Sequence, residues 1–322
     1  MSHTSVTIPL FNHARFIGRT IESVLNQQLR ELDIVVVDDC STDDSFEVAS
    51  QYASDPRVRC VRNEKNLGVA GNWNRCIELA RGPLVMVFGS DDLLDPDYLA
   101  EADRIFEQHP QVGLVYSPVR TIDASDRVTH AGEPHAAALY RAGDEAVAAL
   151  IKTGICTVTT IFRRGCYETL GHYDEKIWNG PDVEFVTRIA AHNDVYDMGK
   201  VCGSVRVHGA KMGHLGYLRR ELLDSYLYGL SKIWGHLSPE GVRQMGIQDL
   251  DAFIAQDGFQ FALSGALVML ANGRPDMARY YLRRAAGLDA GWWKRPRFWR
   301  AFGLSLAPPL GQWVMRRRMR IA

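Results

Sequence analysis

Cysteine is sparse and unpaired: Cys40, Cys60, Cys76, Cys156, Cys166 and Cys202 are scattered over 322 residues with no C-x-x-C pair. That spacing argues against a zinc site and a secreted disulfide framework, and it fits a reducing cytosol. Residues 9–15, after the first strand-like run, contain no glycine. A G-x-G-x-x-G dinucleotide loop is therefore excluded, and a dinucleotide-dependent dehydrogenase with it. No run of about 18 uninterrupted apolar residues occurs, so no spanning helix is expected. The first residues lack a basic stretch followed by an apolar run, so no signal peptide is expected and the location is read as cytoplasmic. Net charge is also small, −1 with a pI near 6.8. Nothing in that balance draws the chain to nucleic acid, which is not expected as a partner.

What is present is apolar material for a sizeable core, 46% hydrophobic against 23% charged, in the ordinary globular range. The length suits one large domain with an appendage. Over the first 120 or so residues, short β-branched runs at 5–11, 33–39, 58–62, 84–89 and 112–117 alternate with helical periodicity. Ile17, Ile21, Val24 and Leu25 keep helical spacing, as do Leu99, Ala102, Ile105 and Phe106. The pattern predicts an α/β fold, a doubly wound, mostly parallel sheet with helices on both faces. Residues 121–140 read as a long polar loop. A helix over 143–153, a strand over 157–162 and a helix over 182–192 follow, and the period is then helical from about 217 to 288. The expected division is a catalytic domain at 1–212, a helical appendage at 213–290 and a basic aromatic tail at 291–322.

The tail mixes Trp, Phe and Leu with Arg and Lys. That composition suits a helix at a membrane interface, with rings at headgroup depth and cations against anionic lipid, peripheral at the inner face of the plasma membrane. The alternative is a basic helix that packs its tryptophans on the protein itself.

The residues that could carry chemistry gather at strand ends. The first strand delivers Pro9, Phe11 and Asn12 to the carboxyl edge of the sheet, where open α/β folds bind ligands, although Phe11 taken singly reads as core. The second runs into Asp38-Asp39. Helix capping accounts for Ser41, Asp43 and Asp44 but leaves both of these carboxylates over, and one suits a base or ribose donor. Asn66, Gly68 and Asn72 crowd a helix start, where amides suit ribose hydroxyls and diphosphate oxygens. The fourth strand ends in Gly89-Ser90-Asp91-Asp92, carboxylates fit to hold Mg²⁺ or Mn²⁺ on a diphosphate, with Asp95 assigned to capping. Asp182 opens a later amphipathic helix and could serve as a base. His208 closes the set at a strand end.

Four of these segments, Pro9-Leu10-Phe11-Asn12, Val37 to Asp43, Asn66-Leu67-Gly68 through Asn72, and Ser90-Asp91-Asp92 with Pro96-Asp97, resemble the family-two glycosyltransferases in order and spacing. These are inverting enzymes of the GT-A fold, and the likeness covers roughly residues 4–210. The resemblance implies a nucleotide-sugar donor, UDP favoured with dTDP and GDP open, and a saccharide or lipid-linked saccharide acceptor. It implies that Pro9, Phe11 and Asp39 hold the base, that Asp91 and Asp92 serve the ribose-diphosphate and a Mn²⁺ or Mg²⁺ ion, and that Asp182 is the general base. His208 stands where members often carry a His near the diphosphate. Two positions depart from the family pattern: Gly89 where many members have Asp, and Pro181 where Glu is common. A nucleotidyltransferase would need the glycine loop that is missing. A catalytically inactive sugar- or membrane-binding scaffold remains the alternative from another class.

Overall fold

The computed structural model describes residues 4–29, 31–153, 157–208 and 220–306. The β-branched runs become buried strands. In β1 (Thr4–Leu10) and β2 (Leu32–Asp38) nearly every residue is shielded from water, as a strand covered on both faces must be. With β3 (Val58–Arg62), β4 (Leu84–Val87), β6 (Val112–Tyr116), β9 (Ala138–Tyr140), β10 (Thr160–Arg163) and β11 (Asp194–Asp197) they form one sheet ordered β3-β2-β1-β4-β10-β6-β11-β9. The first four strands are parallel, and β10 runs antiparallel between β4 and β6.

The helices of this part of the chain are α1 (Ile17–Leu25), α2 (Ser45–Ser50), α3 (Gly68–Leu79), α4 (Tyr98–Gln108), α5 (Asp144–Thr153), α6 (Arg164–Leu170) and α7 (Pro181–His192). Alternation along β2 shows why helices lie on both faces. Ile34 and Val36 join a core with Ile17, Ile21 and Val24 of α1 and Leu99 and Ala102 of α4. Val35 and Val37 point the other way, onto Cys76 of α3. Each such side chain, fully buried, is worth roughly 1.5–3 kcal/mol.

β1 and β4 separate early, which shapes the carboxyl edge. Their pairing ends at Thr7↔Val87, whereas β1 stays paired to β2 as far as Leu10↔Asp38. The Phe88 amide still donates to the Thr7 carbonyl. The next donor in that ladder would come from residue 9, and Pro9 has none. Chain order also reverses here, from β1, β2, β3 on one side to β4 on the other, so the crevice opens at the switch point of the sheet.

A second sheet, ordered β5-β12-β7-β8, is built from β5 (Leu93–Leu94), β7 (Val119–Ile122), β8 (Val128–His130) and β12 (Gly203–Arg206). The expected loop at 121–140 therefore carries the end of β7, all of β8 and, from the first sheet, β9. β8 is exposed along its whole length and β9 has three residues, so neither shows an apolar signature. The expected strand at 157–162 begins as a 3₁₀ turn, Thr157–Thr159, and α6 had no counterpart in the sequence reading. The leading strands stop one or two residues short of the expected 11, 39, 89 and 117. At two of the exits the backbone turns left-handed, with φ of 56° at Asn12 and 61° at Cys40.

By contacts the chain divides into two units: 1–175 with 181–209 and 236–241, and 176–180 with 210–235 and 242–322. In the second, the helix Leu250–Ala271 is capped by Asp249, whose side chain accepts from the Ala252 amide at 3.0 Å. Its Phe259, Ala262, Leu263, Ala266 and Met269 pack with Ala278, Tyr281, Leu282 and Ala285 of Pro275–Leu288. This helix is long and apolar enough to cross a membrane, but half of its most apolar window is buried in the unit. Phe298 and Ala301, expected in a separate tail, belong to the same core. Residues 307–322 of that expected tail lie outside the described residues.

Candidate functional site

Beyond Leu10, β1 delivers Phe11, Asn12 and His13 to the crevice, and β4 delivers Gly89 to Asp92. Phe11 is 41% exposed, so it is not the core side chain its type suggests. Pro9 is half-buried beside it. The Asn12 side-chain carbonyl accepts from the Thr42 amide at 2.8 Å, and the Asn12 amide donates to the Ser41 hydroxyl at 3.0 Å. Asn12 thus ties the loop after β1 to the loop after β2.

Asp38 and Asp39 are both buried, and both have protein partners. Asp38 accepts from the Ser41 amide and pairs with Arg62 at 3.2 Å. Asp39 accepts from the Leu67 and Gly68 amides at 2.7 and 3.0 Å and from the Asn63 side chain at 2.9 Å. It therefore caps α3, where a carboxylate is favoured by unpaired helix amides. Asn66 donates to the Asp39 carbonyl, and buried Asn72 donates to the Val37 carbonyl. Of the expected capping roles Asp43 keeps its own, accepting from the Ser45 amide that opens α2 and also from the Ala14 amide. The others need correction: Ser41 serves Asn12 rather than a helix, and Asp44 makes no side-chain cap bond at α2. Asp95 pairs with Arg120, and the residue at the N-cap of α4 is Asp97.

Asp91 and Asp92 part company. The Asp92 carboxylate turns inward, accepting from the Arg206 amide at 2.8 Å. A Cβ at position 89 would overlap its Oδ2, so glycine there makes room for this turn. Gly89→Ala is expected to cost about 1–3 kcal/mol, the range for forcing atoms into a filled interior. Thermal melts of the variant would show it as a fall of several degrees, and an unchanged melting temperature would count against the packing described. Below this turn, the buried Thr20 hydroxyl of α1 lies 3.1 and 2.9 Å from the Ser90 and Asp92 carbonyls and fixes the loop.

Asp91 faces the crevice, and the second sheet brings His208 to it. β5 follows Asp92 directly and pairs antiparallel with β12, Gly203 opposite Leu94 and Ser204 opposite Leu93. Continuing that register sets residue 206 against 91. The Arg206 Nε donates to the Asp91 carbonyl at 2.7 Å, and His208, two residues on, reaches the Asp91 carboxylate with Nε2 at 3.0 Å. Arg206 is itself buried, its guanidinium 4.8 Å above the Phe16 ring, and Phe16 lies 4.8 Å from the His208 ring.

From the other side comes His13. Its Nδ1 is 2.8 Å from the Ser90 hydroxyl, which leaves Nε2 as the remaining ring donor. Among the described residues, His13, Asp91 and His208 offer ligand atoms within 4.8 Å of one another, a group able to hold a metal. Burial pushes the His13 pKa down, against the opposing charge of Asp91, which favours the neutral imidazole a metal requires. Two imidazoles and a carboxylate suit Mn²⁺ better than Mg²⁺, which prefers oxygen throughout. Asp92 is not in the group. Sequence reading passed over His13, although a His directly after Asn12 at a strand exit was the available signal.

Asp182 lies in the first turn of α7, half-buried, and accepts from the Thr157 hydroxyl. Pro181 opens the helix, where a missing amide costs nothing. Glu184, in the same first turn, is committed to Arg188 and His236 at 2.9 and 3.0 Å.

Known proteins resemble this chain in sequence and in fold. The model described as glycosyl transferase family 2 matches residues 5–171. Chondroitin synthase of Escherichia coli is 28% identical over 206 residues, 64% of this chain and 29% of that enzyme. A PGL/p-HBAD biosynthesis glycosyltransferase of Mycobacterium bovis is 29% identical over 172 residues, 53% of this chain and 62% of that one. The chain thus spans less than two thirds of either relative's length. Among solved structures, S. aureus TarS in complex with UDP-GlcNAc has a TM-score of 0.60 at 16% identity, covering 99% of this chain and 91% of that one. The mannosyltransferase PcManGT of Pyrobaculum calidifontis, in complex with GDP-Man and Mn²⁺, has a TM-score of 0.56 at 19% identity, covering 97% and 86%. At these identities the likeness carries the fold, which is GT-A.

Proposed function

Since the chain belongs to glycosyl transferase family 2, we propose that it moves a sugar from a UDP-sugar to an acceptor hydroxyl with inversion at the anomeric carbon. The observation that carries this reading is the His13, Asp91 and His208 group at the switch-point crevice, where a nucleotide diphosphate binds in open α/β sheets. TarS, crystallised with UDP-GlcNAc, supports the choice of UDP. PcManGT, crystallised with Mn²⁺, supports the choice of metal.

The exposed Phe11 ring offers the base a face to stack on, while the buried Asp39 carboxylate stays committed to the Leu67 and Gly68 amides and braces the loop after β2. His13, Asp91 and His208 would hold the cation, with Ser90 fixing the first ring and Arg206 the loop behind the second. What a bound Mn²⁺ supplies is positive charge against the departing diphosphate. Asp182 accepts the acceptor's hydroxyl proton as the new bond forms to the anomeric carbon and the bond to the diphosphate oxygen breaks. Thr157 orients that carboxylate.

The acceptor is a saccharide or lipid-linked saccharide in surface polysaccharide or glycolipid synthesis, the setting that the names of the chondroitin synthase and PGL/p-HBAD relatives suggest. Transfer from α-linked UDP-sugars with Mn²⁺ should give β-linked product, read from the anomeric proton coupling by NMR. An α-linked product would overturn the single displacement.

A further inference from the structure

Charge in this chain is segregated. Residues 290–322 hold eight Lys and Arg and no acid, so with −1 overall the residues before them carry −9. The helix Pro296–Leu306 and the turn before it show how four of those cations, Lys294, Arg295, Arg297 and Arg300, are presented. The helix buries Phe298, Ala301 and Ser305, while Trp299 and Leu306 are 48% and 64% exposed, and Trp293 on the preceding turn is 56% exposed. Leaving two indoles in water is costly for a surface helix that could have packed them inward. They are also held in place: the Trp299 Nε1–H donates to the Trp293 carbonyl at 2.7 Å, and the Lys294 ammonium sits 4.9 Å from the Trp293 ring. Lys294, Arg297 and Arg300 are exposed around them. A cavity of about 420 Å³ alongside has Phe259 and Leu263 on its apolar side and Arg295 and Arg297 at its charged side.

We propose that this face docks on an anionic lipid bilayer, with Trp293, Trp299 and Leu306 entering the headgroup–acyl boundary and Lys294, Arg297 and Arg300 meeting lipid phosphates. Exposed rings at interface depth and cations against negative headgroups are the two terms of interfacial binding. A second copy of the chain is a poor occupant, because self-pairing would set these cations against each other. The docked chain would sit peripherally, on the anionic inner face of the plasma membrane. None of this depends on the transfer reaction.

The test is co-sedimentation of the full chain with vesicles of phosphatidylcholine containing phosphatidylglycerol, and with phosphatidylcholine alone. Binding to the anionic vesicles only, weakened by salt, is expected. Arg297→Glu with Arg300→Glu should weaken it by more than roughly tenfold, each charge near the surface counting. Trp293→Ser with Trp299→Ser should remove quenching of tryptophan emission by brominated lipid while the circular dichroism stays that of the parent. Equal binding to neutral vesicles, or charge-reversed protein that sediments like the parent, would overturn the proposal. So would quenching that survives the loss of both tryptophans.

Discussion

Asp91→Asn is expected to lower kcat/KM for sugar transfer by roughly a thousandfold, in the range seen when one charged group facing a developing anion is removed. The substitution isolates charge from shape. Asparagine keeps the size of the side chain and an oxygen for the His208 ring, now 3.0 Å from the carboxylate, and the Arg206 bond goes to the main chain and is untouched. The fold should therefore survive, and the loss should be one of cation and diphosphate binding. His13→Ala and His208→Ala remove one neutral ligand each and should weaken metal binding by at least roughly 10–100-fold, the cost of losing a group that only orients a ligand. Steady-state kinetics across a Mn²⁺ titration would separate the cases: the histidine variants recover with added metal, while Asp91→Asn does not. Recovery of Asp91→Asn to parental kcat at high Mn²⁺ would remove Asp91 from the cation site.

Asp182→Asn carries the second large effect. A positioned general base contributes roughly 10²–10⁴-fold, so kcat should fall within that range while nucleotide affinity stays within about twofold. The reason is location: Asp182 opens α7 and bonds Thr157, and none of its hydrogen-bond partners belongs to the His13, Asp91 and His208 group. Thr157→Val should give a milder loss of kcat, since it frees the carboxylate to rotate without removing it. Single-turnover transfer with the nucleotide affinity measured in parallel checks both. A fall in nucleotide affinity matching the fall in rate would show a binding role instead.

The parallel core could be read from the sequence because its strands are nearly continuous apolar runs. Val35, Val36 and Val37 could hardly be anything else, and Ile17, Ile21 and Val24 lie on one helix face at the expected spacing. Strand ends were less legible, since pairing, not composition, decides where β1 leaves β4. The second sheet was illegible for the same reason. β5 has two residues and β8 no buried one; β8 takes its register from β7, and β5 takes its register from β12. That register is what carries His208 to Asp91 across more than a hundred residues of sequence. Composition also could not tell Asp91 from Asp92; the space left by Gly89 and the amide of Arg206 make that choice. Asp39 looked like a ligand carboxylate because no helix start adjoins it in sequence, yet it caps a helix 28 residues on.

The central claim is that the His13, Asp91 and His208 group makes nucleotide binding depend on a divalent cation. Isothermal titration of UDP, GDP and dTDP into the protein, with and without Mn²⁺, tests it most directly when repeated on Asp91→Asn. Binding of UDP that requires Mn²⁺ and disappears in the variant is the expected result. UDP binding of equal strength without metal, or retained in Asp91→Asn, would contradict the claim, and no binding of any nucleotide would favour a catalytically inactive scaffold.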